Sequence, residues 1–189
     1  MAKIDFIDTK IEGLKIVVPF FAEDNRGFFM KAYERQLFKD AGIETDIAET
    51  FESYSKHGVI RGLHFQPGDD AQSKLVRVLN GEVFDVCVDI RPGSRTFGKW
   101  VGEYLSGDNH KAFFIPKGFA HGFLVTSDLA LMSYTCSGAY NQGGESGIFY
   151  KDPDLNIDWP LKDITVIQSD KDAGLQSFKD YCDSMECGR

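Results

Sequence analysis

Apolar and polar positions alternate with a period of two along most of the chain. The clearest stretch runs Leu75-Val76-Arg77-Val78-Leu79, then Asn80-Gly81, then Glu82-Val83-Phe84-Asp85-Val86-Cys87-Val88-Asp89-Ile90. That period predicts strands. Asn-Gly between two such runs predicts a type I′ hairpin, because both turn positions need positive φ. In the second run Phe84, Val86, Val88 and Ile90 share one face and Val83, Asp85, Cys87 and Asp89 the other, so one face is expected in the core and the other partly wet. Further strands are expected over residues 58–66, 110–115, 122–126 and 129–136. Their short connections suit a sandwich or small barrel.

The period changes in two places. Over residues 34–41, Leu37, Phe38 and Ala41 fall on one side and Gly42 follows, which predicts a short helix across the sheet edge. Beyond Trp159-Pro160 the alternation fades, and Leu175, Phe178, Cys182 and Met185 predict an amphipathic tail helix over residues 175–187. No repeat or linker is visible, and 189 residues with 42% apolar content fit a single domain over residues 1–189.

The remaining composition narrows the function classes. Cys87, Cys136, Cys182 and Cys187 show no zinc-knuckle, CxxC or dense disulfide spacing, so a reducing cytoplasm is expected. The N-terminal stretch has Lys3, Asp5 and Asp8 and lacks a continuous apolar segment, and no run reaches about 18 apolar residues. Membrane insertion and secretion are therefore not expected. A formal net charge of -8 repels nucleic acid, while local basic pockets still suit a small phosphorylated ligand.

Candidate chemistry clusters on the strands. In Val59-Ile60-Arg61-Gly62-Leu63-His64-Phe65-Gln66, a regular strand points His64 and Gln66 one way and Arg61 the other, and a bend at Gly62 would bring Arg61 round to the same mouth. Lys74 opens the next strand. His121 enters a strand from a turn and reads equally as a packed or a catalytic histidine. Tyr134, if buried, needs a polar partner and is an even choice between structure and chemistry. Asp170 and Asp172 after Ser169 read by spacing first as a solvated charge run, and second as carboxylates that orient a histidine. No metal is expected, since the strand carries His64-Phe65-Gln66 rather than paired histidines, and the Lys74 ammonium opposes a nearby cation.

Taken together, Asp24-Asn25-Arg26-Gly27-Phe28-Phe29, the Val59 to Gln66 strand, Lys74-Leu75-Val76-Arg77-Val78, Thr96-Phe97-Gly98-Lys99-Trp100, Ile115-Pro116-Lys117-Gly118-Phe119-Ala120-His121-Gly122-Phe123, Asp158-Trp159-Pro160 and Ser169-Asp170-Lys171-Asp172 resemble the dTDP-4-dehydrorhamnose 3,5-epimerase family over nearly the whole chain. The resemblance implies an all-β fold, a jelly-roll or cupin-like antiparallel barrel with short peripheral helices. It also implies a homodimer exchanging N-terminal strands, a nucleotide-diphosphate sugar as substrate, and no cofactor. By position it implies His64 as base, Asp172 as the carboxylate orienting it, Tyr134 as the acid on the opposite sugar face and Lys74 near the keto oxygen. His121 becomes a second pocket histidine, and Arg26 and Arg61 lie near the diphosphate, Arg26 from the partner subunit. Phe28 and Gln66 are further substrate contacts.

The implied reaction is inversion of C3 and C5 in a nucleotide-linked 4-keto-6-deoxyhexose through an enolate. A single-centre epimerase or ketoisomerase, and a non-catalytic sugar-nucleotide-binding module, are the alternatives. The chain departs from the family in carrying Glu49-Thr50-Phe51 for Gln-Asp-Asn, Lys31 for Glu, Thr135 for Lys and Gln142 for Pro. Glu49, Phe51 and Lys31 are therefore expected to tune substrate contacts.

Overall fold

A computed structural model describes residues 3–43 and 46–186. Along them the backbone forms β1 (Asp5–Asp8), β2 (Lys15–Val18), β3 (Phe20–Asp24), β4 (Gly27–Lys31), α1 (Arg35–Asp40), β5 (Glu49–Lys56), β6 (Ile60–Phe65), β7 (Lys74–Asp89), β8 (Trp100–Ser106), β9 (Ala112–Ile115), β10 (Phe119–Cys136), β11 (Ser146–Gly147), α2 (Asp170–Ala173) and α3 (Phe178–Glu186). The fold is all-β with short helices.

Asn80-Gly81 does not turn the chain. It lies inside β7, which runs on for 16 residues, and Gly81 alone of the pair has positive φ, at 82°. The expected hairpin is instead a bulge: Leu131 faces Asn80 and Met132 faces Val78, so β7 carries an extra residue there. A Cβ on Gly81 would stand 1.8 Å from the Leu129 carbonyl oxygen, which leaves room only for glycine. The neighbouring strand β10 likewise merges the two segments expected over residues 122–126 and 129–136, with its own register shift between Val125 and Ala130. Ser127 fills that irregularity, its Oγ accepting from the Glu82 N–H at 2.7 Å and donating to the Leu129 carbonyl at 2.6 Å.

On the two sides of this bend the β7/β10 ribbon has different partners. The Lys74–Arg77 end of β7 pairs with β9, and the Leu129–Cys136 end of β10 pairs with β5. Beyond the bend β7 pairs with β8 and β10 with β6. The sheet path is β1-β2-β9-β7-β10-β6-β11 with β5 and β8 as side branches, and its end strands do not pair with each other. The expected barrel is thus corrected: no sheet closes. Alternation places strands and faces, whereas closure requires the outermost strands to meet in hydrogen-bonding register. Here side chains from helices and the C-terminal segment cover the faces instead.

One face of β7 feeds a core with Val83, Cys87, Phe113, Phe123 and Met132, and the other feeds a second core with Phe84, Val86, Val88, Leu124 and Trp159. The expected wet face is therefore buried as well, and Asp85 and Asp89 are 0% exposed. Each carboxylate has its own partners. Asp89 accepts from Arg91 at 2.8 Å, Ser94 at 2.6 Å and Thr96 at 2.6 Å, and Asp85 binds His121.

Helix α1 ends where Gly42, at φ 72°, donates its N–H to the Lys39 carbonyl and Ile43 donates to Phe38. Its buried Phe38 packs with Val17, Leu75 and Phe114 over the β1–β2–β9 end of the sheet. Burying a phenylalanine contributes about 1.5–3 kcal/mol. Helix α3 lays Phe178 and Tyr181 on the second core. Of its expected span, Cys187 lies outside the described residues.

Candidate active site

His64 and Arg61 are three residues apart on β6 yet line the same cavity, of about 580 Å³. Regular pleating would put them on opposite faces. The ladder to β10 slips here, with His64 facing His121 and Arg61 facing Phe123, and Gly62 takes φ 107°. A Cβ on Gly62 would meet the His121 carbonyl oxygen at 2.6 Å. The bend anticipated at Gly62 is present, and it needs glycine.

Asp172 reaches His64 across a sequence gap of 108 residues. The segment that delivers it is stitched beside β6: the Ile60 N–H donates to the Ile167 carbonyl at 2.9 Å, and the Ile167 N–H to Gly58 at 2.8 Å. Ser169 then caps α2 by accepting from the Asp172 N–H at 3.1 Å. The buried Asp172 carboxylate accepts from His64 Nε2 at 2.9 Å and also faces the Gly62 N–H at 3.4 Å. Asp172 is thus buried against His64 and not part of a solvated charge run. Asp170, in the same helix, stays exposed.

The other imidazole nitrogen also has a carboxylate beside it. Glu145 Oε1 lies 3.3 Å from His64 Nδ1, because Glu145 directly precedes β11, whose Gly147 is paired opposite His64. Its second oxygen accepts from the Tyr140 hydroxyl at 2.7 Å and pairs with the Lys171 ammonium. Burial alone would raise the Glu145 carboxyl, but the hydrogen bonds from Lys171 and Tyr140 and the charge of His64 hold it below the usual range. Glu145 was not foreseen, since it sits in Asn-Gln-Gly-Gly-Glu-Ser, a stretch without periodicity.

Tyr134 comes from the β5-paired end of β10. Its ring is buried, stacked on Phe51 at 4.6 Å, and its hydroxyl is 3.4 Å from Ser53 Oγ. Burial pushes the phenol well above its ordinary value, against the pull of the Ser53 hydrogen bond, so at neutral pH it carries its proton. Lys74 lines the cavity from the start of β7, two residues from Val76, which faces Tyr134 across the ladder. Among the described residues no carboxylate stands within ion-pair distance of Lys74. His121 gives its Nε2 to Asp85, 2.9 Å from both carboxylate oxygens, with both side chains buried.

Of the other expected contacts, Glu49 and Phe51 line the cavity, and Glu49 accepts from Gln72 at 3.1 Å. Gln66 does not. β6 ends at Phe65, and the Gln66 amide turns to hold neighbouring loops, donating to the Asp70 carbonyl at 3.2 Å and accepting from the Asn141 N–H at 2.8 Å. Arg26, Phe28 and Lys31 lie on the β3–β4 hairpin or its end, away from this cavity within the chain. Arg26 pairs with Asp24 and Lys31 with Glu34, each at 2.6 Å. Among the described residues no three His, Cys, Asp or Glu side chains are grouped to hold a metal ion, and no helix is long and apolar enough to cross a membrane.

A histidine oriented by a buried carboxylate, a protonated buried tyrosine and a free ammonium around one cavity define an acid–base site suited to moving protons next to a carbonyl group. The profile of the dTDP-4-dehydrorhamnose 3,5-epimerase family matches residues 8–180, and the chain belongs to that family. It is 44% identical over 181 residues to the dTDP-4-dehydrorhamnose 3,5-epimerase of Methanothermobacter thermautotrophicus, covering 95% of this chain and 97% of that one. Among solved structures, the 3,5-epimerase of Legionella pneumophila in complex with dTDP-4-keto-L-rhamnose superposes with a TM-score of 0.90 at 47% identity, covering 94% of each chain. A 3'-monoepimerase from Streptomyces bikiniensis, in complex with dTDP-quinovose, gives 0.86 at 31% identity, covering 90% of this chain and 86% of that one.

Proposed function

We propose that this cavity carries out the family's reaction with His64 as base and Tyr134 as acid. The enzyme inverts C3 and C5 of dTDP-4-keto-6-deoxyglucose to give dTDP-4-keto-rhamnose. The observation that carries the assignment of roles is the His64 Nε2 to Asp172 contact of 2.9 Å, in a cavity that also holds Tyr134.

The chemistry follows from the substrate. A 4-keto group makes the protons on C3 and C5 acidic, because the electron pair left behind delocalises onto the oxygen as an enolate. The Lys74 ammonium stabilises that oxygen charge. Asp172, hydrogen-bonded to His64 Nε2, fixes the imidazole's orientation and stabilises the imidazolium that forms. Tyr134 returns a proton from the other face, and the centre is inverted. Arg61, tethered to Ser55 at 3.1 Å, faces the diphosphate, where a guanidinium fork suits two phosphate oxygens.

The N-terminal hairpin extends this reading to a homodimer. β3 and β4 form a separate two-stranded sheet, with Phe28 60% and Phe29 61% exposed. Exchange of this arm would bury those rings and bring Arg26, Phe28 and Lys31 of one chain to the cavity of the other. Light scattering should give the mass of a dimer, and Arg26→Ala should raise KM.

The reaction itself is tested in deuterated water. Wild type should place deuterium at both C3 and C5. His64→Ala should abolish exchange, while Tyr134→Phe should still lose protons and fail to invert. Absence of exchange in the wild type removes the epimerase reading, and full inversion by Tyr134→Phe removes Tyr134 as the acid.

A further inference from the structure

We propose that His110 is a positioning residue for Arg26: its ring, packed against Phe21 and Phe28, sets the angle at which the β3–β4 hairpin carries Arg26 to the cavity of the partner subunit. The inference rests on the homodimer reading above and assigns a role to a side chain that lines no part of the catalytic cavity.

The hairpin needs a fixing point. β3 and β4 form a sheet of their own, and among the described residues no hydrogen bond or ion pair ties residues 20–31 to the nine-stranded sheet. A two-stranded ribbon by itself is marginally stable in water. Its pairing puts Phe21, Glu23, Phe28 and Met30 on one face, and Phe20, Ala22, Phe29 and Lys31 on the other. On the first face Phe21 and Phe28 lie 5.1 Å apart. The His110 ring completes the cluster, stacked on Phe21 at 4.4 Å and 24°, and tilted to Phe28 at 5.4 Å. Three rings thus join the hairpin to the body of the protein.

His110 is itself held still. It sits in the turn between β8 and β9, where Asn109 Oδ1 accepts from the Ser106 N–H at 3.1 Å and the Lys111 N–H at 3.0 Å. The Asn109 amide donates to the Tyr104 carbonyl at 2.8 Å, and the Asn109 N–H to Ser106 Oγ at 2.9 Å. His110 donates its own N–H to the Ser106 carbonyl at 3.1 Å. Its φ is 57°, a conformation uncommon outside glycine that histidine and asparagine tolerate better than most residues. A rare backbone conformation in a turn braced this fully points to a task for the ring it projects.

That task follows from leverage. Arg26 lies at the hairpin tip with its side chain 86% exposed, its guanidinium paired with Asp24 at 2.6 Å. The tip is about 16 Å beyond Phe21 along an extended strand. A tilt of about 10° at the rings would move the guanidinium by about 3 Å, enough to break paired hydrogen bonds to a diphosphate. His64, Tyr134 and Lys74 stand on β6, β10 and β7, so loss of the rings acts on binding and not on proton transfer.

The experiment uses full-length His110→Asn, which suits the positive φ and removes the ring, with dTDP-4-keto-6-deoxyglucose as substrate. KM should rise about fivefold or more, with kcat within about twofold of wild type. Phe21→Leu, which leaves the turn untouched, should do the same, and His110→Phe should bring KM back toward wild type. Combined with Arg26→Ala, His110→Asn should raise KM no further, because the arginine it positions is gone. NMR reads the contact without substrate: the His110 ring protons should be shifted upfield by the phenylalanine rings and return toward ordinary values in Phe21→Leu. Wild-type KM in both His110→Asn and Phe21→Leu, or losses that add to those of Arg26→Ala, overturn the positioning role. An unshifted His110 in the wild type overturns the contact itself. A wild type that is monomeric by light scattering overturns the homodimer reading and the positioning role with it, even where the NMR shift shows the rings in contact.

Discussion

Phe51 lies flat on Tyr134, with ring centroids 4.6 Å apart and planes 13° from parallel. The two residues face each other across the β5–β10 ladder, and two positions further along β5 Ser53 meets the Tyr134 hydroxyl. β5 therefore grips the proposed acid at its ring and at its oxygen. In this chain the Phe51 ring therefore acts on the tyrosine as well as lining the cavity.

Phe51→Asn should accordingly act on kcat. An aromatic pair contributes about 0.5–1.5 kcal/mol beyond its buried area, which is about two- to tenfold in rate if the stack holds Tyr134 in its reactive pose. Steady-state kinetics with the dTDP sugar should show that loss with KM little changed. A rise in KM at constant kcat would reassign Phe51 to ground-state substrate contact.

Gly62→Ala should damage the site and the fold together. The backbone is at φ 107°, and the added methyl would meet the His121 carbonyl at 2.6 Å and the Gly122 Cα at 2.8 Å. Such strain costs about 1–3 kcal/mol. A lower urea midpoint with activity reduced more than stability is expected, because His64 and Arg61 share the cavity only through this bend. An alanine variant as stable and active as wild type would show that the bend does not depend on glycine.

Asp89 should make the fold acid-sensitive. Burial raises its carboxyl, but hydrogen bonds from Arg91, Ser94 and Thr96 outweigh that and lower it from 3.8 to about 2. A carboxyl lowered in the folded state adds stability that is present above its unfolded value and is lost as pH falls through the folded one. The shift corresponds to about 2 kcal/mol. Urea unfolding should therefore show the gap between wild type and Asp89→Asn narrowing by about 2 kcal/mol from about pH 6 down to about pH 2. A constant gap across that range would sink the assignment.

Much of this protein was legible before its fold. The alternation located the strand material of β6, β7, β9 and β10, Gly42 marked the end of α1, and the long run of family motifs named the reaction. Asn80-Gly81 misled, because the same dipeptide serves a hairpin and a bulge, and only the partner strand decides which. The wet face assigned to Asp85 and Asp89 misled for a related reason. A carboxylate in an alternating strand reads as solvent-facing until a histidine or an arginine is found beside it in the core.

What the sequence by itself determined was local: which segments are strands, which side chains share a face, and which residue types are present for acid–base work. The tertiary structure decided what meets what. It placed Asp172 on His64 by stitching Ile167 alongside β6, set Glu145 against the other nitrogen through the pairing of β11, turned Gln66 away to brace loops, and left the sheet open. Periodicity constrains a chain over a few residues, whereas these contacts join segments up to 108 residues apart and form only when packing and backbone hydrogen bonds bring the segments together.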